Sequence, residues 1–133
     1  MSQLLPVVRN MYLCEEVEID EANSLRISII GLLGNLRSLN EPPFPIVQEQ
    51  ICVYLQITSC RGPAQGRIEI RNADTDELVF VTQSHTMQFR NDPLEIQGVK
   101  FRIRGCLFQE PGLYWVQFWY NETMLAQQSF VWK

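Results

Sequence analysis

The segment Gly112-Leu-Tyr-Trp-Val-Gln-Phe-Trp-Tyr120 narrows the fold more than any other part of the chain, because both of its alternating faces carry large side chains. Successive residues of a strand point to opposite sides of a sheet. One face therefore presents Tyr114, Val116, Phe118 and Tyr120, and the other Leu113, Trp115, Gln117 and Trp119. A core absorbs one such row. The second is either a concealed packing layer or a surface that binds something.

Turn residues punctuate the rest of the chain into short β-like segments, with no long amphipathic helix. Val7 to Ile19 reads as one long or bent strand, and Leu25 to Leu33 as a second, with Gly31 and Gly34 marking a bend. Pro42, Pro43 and Pro45 make Leu39 to Pro45 a loop. Ile51, Val53, Leu55 and Ile57 alternate cleanly with Cys52, Tyr54 and Gln56. Arg61 to Gly66 reads as a loop, and Arg67 to Arg71 as a strand with one wet face. Asn72 to Asp76 turns the chain into Leu78 to Thr82. A polar segment around His85 and a short apolar one at Met87 and Phe89 follow, closed by a break at Asn91-Asp-Pro93. Val99 to Cys106, Leu113 to Tyr120 and Met124 to Trp132 complete the series, the last two joined by a tight turn at Asn121-Glu-Thr123. About eight or nine strands at this spacing predict one all-β domain over residues 1–133. Its expected form is an immunoglobulin-like antiparallel β-sandwich, with a closed β-barrel as the alternative.

The alternation also specifies one pairing. If Val99 to Cys106 turns through Phe108-Gln-Glu-Pro111 and pairs with Leu113 to Tyr120, then Ile103 faces Val116, Phe101 faces Phe118 and Val99 faces Tyr120. These are apolar cross-strand pairs of the kind that stabilise sheets by about 0.2–1 kcal/mol each. The same register sets Arg104 against Trp115, Arg102 against Gln117 and Lys100 against Trp119, a cation row beside an indole row. Such stacking contributes roughly 0.5–1 kcal/mol per exposed pair. The expected interaction face is therefore Lys100, Arg102, Arg104, Trp115, Gln117 and Trp119, with Trp132 a further candidate of ambiguous parity.

Other chemistry is sparse. A catalytic histidine must be held against its nucleophile, and the single histidine, His85, sits in a Ser-His-Thr context without a nucleophile motif. Zinc sites combine several Cys and His ligands, whereas Cys14, Cys52, Cys60 and Cys106 are scattered without a Cys-x-x-Cys pair. These cysteines read as structural thiols. Asp74, Asp76 and Glu77 read as turn residues, since an EF-hand loop needs Gly and Glu at spacings absent here. No phosphate-binding glycine motif is present. The acidic run Glu15, Glu16, Glu18, Asp20 and Glu21 reads as a solvated strand end. No cofactor or metal is expected. Formal net charge is -4, which argues against a general nucleic-acid binder. No apolar run approaches the ~18 residues of a membrane span, and the first ten residues lack the pattern of a secretory signal. A cytoplasmic location is expected.

The order Asn10-Met-Tyr-Leu-Cys14, Leu25 to Gly31, Phe44-Pro45, Ile51 to Ile57, Pro111-Gly-Leu-Tyr114 and Phe130-Val131 resembles an uncharacterised bacterial family of short immunoglobulin-like β-sandwich proteins. The resemblance implies a fold and no activity, so no site residue carries over.

The expected function is that of a non-catalytic protein-interaction or assembly module, with homo-oligomerisation by sheet stacking its simplest form. Two alternatives are a sandwich binding a small ligand or carbohydrate on its indoles, and an enzyme using His85.

Overall fold

The computed structural model describes residues 5–23, 26–37, 43–59, 63–88 and 94–133. Among these the chain forms strands β1 (Val7–Ile19), β2 (Ile27–Leu32), β3 (Asn35–Leu36), β4 (Ile46–Thr58), β5 (Pro63–Asn72), β6 (Leu78–Val81), β7 (His85–Gln88), β8 (Gln97–Phe108), β9 (Gly112–Tyr120) and β10 (Thr123–Trp132). The first sheet has the order β2-β1-β4-β8, and the second the order β3-β10-β9-β5-β6, with β7 also paired to β5. The sheets pack face to face around one apolar core, so the molecule is a β-sandwich and not a closed barrel.

The period-two segments supply that core from both sides. Ile51, Val53, Leu55 and Ile57 of β4 and Phe101 and Ile103 of β8 face Ile68 and Ile70 of β5 and Tyr114, Val116 and Phe118 of β9. Phe108 is wholly buried and meets the rings of Tyr114, Phe130 and Trp132 at centroid distances of 4.9, 5.4 and 5.8 Å. Burying an aromatic side chain of this kind stabilises by about 1.5–3 kcal/mol.

β4 is buried on both faces. Cys52 and Tyr54 point away from the main core into a second cluster with Cys14 and Val17, flanked by Tyr12, Ile27 and Ile29. This cluster forms because β1 pairs β4 only from Val7 to Cys14 and then continues with β2 alone from Cys14 to Ile19. The β1–β2 arm packs its apolar residues on the outer surface of the first sheet.

The expected hairpin of β8 and β9 is overturned. β8 pairs β4 along its length, from Gln97 opposite Ile57 to Phe108 opposite Ile46. β9 lies in the other sheet between β10 and β5. The residues between them cross from one sheet to the other, and the Tyr114 hydroxyl donates to the Glu110 carbonyl at this corner. Phe101 does meet Phe118, at 5.9 Å between centroids, but across the core and not along a sheet.

Smaller expectations are also revised. Pro63 to Gly66 is not loop but the start of β5, with Pro63 in the first strand position that proline tolerates. The Met87 side chain packs over Gly66, and an added Cβ there, 2.6 Å from the sulfur, would push the end of that side chain aside. Trp132 faces the core at 4% exposure, so it does not join the outer surface. Leu25, Leu39, Asn40, Glu41, Pro42, Cys60, Arg61, Gly62, Phe89, Asn91, Asp92 and Pro93 lie outside the described residues.

Candidate functional site

The outer face of the second sheet carries the indole row. Trp115, Gln117 and Trp119 alternate outward along β9 and are each half-buried. Their neighbours on one side are the wet face of β5: Arg67 opposite Trp119, Glu69 opposite Gln117 and Arg71 opposite Trp115. A cation does stack on tryptophan, but it comes from β5. The Arg67 guanidinium carbon lies 4.7 Å from the centroid of the Trp119 ring.

Glu69 binds both arginines, accepting from Arg67 Nε and from Arg71 Nη2 at 2.8 Å each. At 6% exposure it is the buried centre of this charged ladder. The amide of Gln117 is spent internally, accepting from Trp119 Nε1 and donating to Gln127 Oε1 at 3.3 Å each. Large apolar side chains stand around the pair, on β9 itself and on β6 and β10: Leu78 is 44% exposed, Val81 46%, Leu113 36% and Met124 38%. Sequence reasoning missed Arg67, Glu69 and Arg71. Their alternation was legible as a wet strand face, but the strand beside it was not.

Lys100, Arg102 and Arg104 occupy a different surface. They point outward from β8 on the first sheet, so the six-residue face expected from the hairpin register is split between opposite sides of the sandwich. Arg102 donates to Glu16 Oε1 at 3.0 Å. Glu16 is therefore not merely part of a solvated acidic run. Its carboxylate also accepts from the Val17 backbone N–H at 3.0 Å and from Gln50 Nε2 at 3.0 Å. The Val17 N–H foremost, then Gln50 and Arg102, hold its pKa down at about 2.

Beneath this group Cys14 and Cys52 stand opposite each other on β1 and β4 as free thiols. Burial, reinforced by Cys52, pushes Cys14 up to about 11. Cys106, in the main core, is pushed by burial to about 12. Thiols with raised pKa are weak nucleophiles and ligands at neutral pH. Among the described residues no group of three or more His, Cys, Asp and Glu side chains is placed to hold a metal ion. His85 lies on β7 with its ring edge-on to Phe101, 6.0 Å between centroids. The Asp74 turn is organised by Asn72 Oδ1, which accepts from the Asp74 N–H at 2.9 Å.

The model of a family of unknown function, DUF6941, matches residues 10–131. The chain belongs to DUF6941. That match covers most of both sheets and every residue of the indole face. No curated protein matches. Among solved structures, the alkylpurine DNA glycosylase AlkC of Pseudomonas fluorescens, bound to DNA containing an abasic site analog, is similar over 96% of this chain at 9% identity and a TM-score of 0.56. The DUF6941 chain spans 30% of that glycosylase chain. At such identity the likeness shows the fold alone. Among the described residues no helix is long and apolar enough to cross a membrane.

Proposed function

We propose that this DUF6941 chain is a non-catalytic interaction module whose contact face is the outer surface of the second sheet, and that a second copy of the chain is its partner through sheet stacking. The observation that carries the reading is the pair Trp115 and Trp119, half-buried on the outer face of a sheet and flanked there by the exposed Leu78, Val81, Leu113 and Met124. Tryptophan and arginine are enriched among the residues that dominate binding energy, and apolar neighbours exclude water around them. A two-fold axis through such a face would set like strands against like and close the assembly at a dimer.

The internal bonding of Gln117 favours this over sugar binding. A sugar platform needs free donors and acceptors beside its rings, whereas here the amide already serves Trp119 and Gln127. Immunoglobulin-like kinship is part of the same reading and is supported by the Tyr114-to-Glu110 corner, a device common in such sandwiches. Residence in the cytoplasm is supported by the facing free thiols Cys14 and Cys52.

Light scattering coupled to size-exclusion chromatography tests the proposal, with the wild type run beside a Trp115→Ala, Trp119→Ala double variant. The expected result is a dimer that the double variant converts to monomer. A monomeric wild type at high concentration, or a dimer that the variant leaves intact, overturns it.

A further inference from the structure

A separate site is built on the opposite side of the molecule. The β1–β2 arm overhangs the outer surface of the first sheet and leaves a half-open cleft of about 380 Å³ between itself, β4 and β8. That volume lies in the range of small-molecule sites, about 300–1,000 Å³. Ile19 and Ile27 of the arm form one wall, and Ile96, just before β8, stands on the other. Ile19 is 54% and Ile96 48% exposed, a poor use of large apolar side chains unless something covers them.

The floor is Tyr54, buried against the arm. Its ring lies across Gly98, where an added Cβ would collide with the Tyr54 hydroxyl and ring. Glycine at this point leaves room for the ring.

Two polar side chains complete the lining. Gln56 Oε1 accepts from Asn10 Nδ2 at 2.7 Å, and its side chain also hydrogen-bonds the Tyr54 hydroxyl, which fixes the amide beside the floor. Lys100, directly opposite Tyr54 in the β4–β8 register, is exposed beside the apolar walls. Its neighbour in the cation row, Arg102, is engaged by Glu16, whereas no described carboxylate forms an ion pair with Lys100. Apolar walls with one ammonium at their edge complement a single negative charge carried on a hydrocarbon body.

We propose that this cleft binds a small amphipathic carboxylate, its apolar part between Ile19, Ile27 and Ile96 and its carboxylate on Lys100. The inference is independent of the indole face.

The test is a titration of the full chain, labelled at isoleucine methyls, with octanoate, octanol and octylammonium as probes. Octanoate is expected to shift the methyl signals of Ile19, Ile27 and Ile96 saturably, leaving Ile68 and Ile70 of the second sheet unmoved. Octylammonium and octanol bind at least about tenfold more weakly. Lys100→Met, a change at an exposed position, weakens octanoate by about tenfold, the loss of one charge-assisted contact, and removes the preference over octanol. The methyl spectrum itself reports that the variant is folded. Unmoved cleft methyls with octanoate, equal binding of octylammonium, or unchanged octanoate binding by Lys100→Met would each overturn the proposal. The Trp115→Ala, Trp119→Ala variant is expected to bind octanoate as the wild type does.

Discussion

Arg67 stacks on Trp119, its guanidinium carbon 4.7 Å from the ring centroid, while its Nε donates to Glu69 and its Nη1 to the Asn121 carbonyl at 2.9 Å. One side chain therefore ties β5 to the indole row and to the β9–β10 turn. Arg67→Ala is expected to free the Trp119 ring, raising acrylamide quenching of tryptophan fluorescence. The cost in stability is about 1 kcal/mol, the sum of a stacked cation and modest hydrogen bonds.

Glu69 carries more. Its side chain is 8% exposed, and it neutralises Arg67 and Arg71, which are 23% and 28% exposed. Glu69→Gln keeps the shape and removes the charge, leaving two half-buried cations on one strand without their shared anion. The partial exposure of both arginines places the loss between the value for surface pairs and that for fully buried ones, at about 2 kcal/mol. Urea denaturation of the variant beside the wild type measures it.

Glu16 makes acid stability legible. Its folded pKa lies near 2, below the ordinary 4.5. A depressed carboxylate contributes stability that is fully present above the unfolded pKa and is lost as pH falls through the folded one. Between about pH 4.5 and 2 the wild type is expected to lose stability that Glu16→Gln has already lost, so their denaturation midpoints converge toward pH 2. Parallel curves over that window would rule out the Val17, Gln50 and Arg102 contacts as the cause.

Cys106 is wholly buried, with its thiol pushed from 9.0 to about 12. The folded state thus keeps a proton that the unfolded state releases above pH 9, so this contribution to stability falls as pH rises from about 9 toward 12. At pH 8 a maleimide is expected to leave Cys106 unlabelled in the native protein and to label it once urea unfolds the chain. Mass spectrometry of the digested protein distinguishes the two. Native labelling at the rate of a free thiol would contradict the packing around Phe108.

Much of the fold was readable from alternation. Val7 to Ile19 is a single strand as its pattern implies, and the inward rows Ile51 to Ile57, Phe101 to Ile103 and Tyr114 to Phe118 are all core. The candidate site was readable only in part. Trp115, Gln117 and Trp119 do share an outward face, because period two places them there whatever their neighbours. Lys100, Arg102 and Arg104 share one too, on the other sheet. Glu16, spaced far from Arg102 along the chain, carried no local sign of its ion pair.

The amino-acid order alone determined which side of each strand is buried, because an apolar row must leave water in either arrangement. It left undecided whether Phe101 meets Phe118 beside it in one sheet or across the core from the other. Both arrangements bury the same rings, so the alternation is identical. Only the tertiary structure decided, through the Gln109–Pro111 crossing and the pairing of β8 with β4. That choice turned the cation row and the indole row away from each other, and with them the two surfaces on which the proposed binding depends.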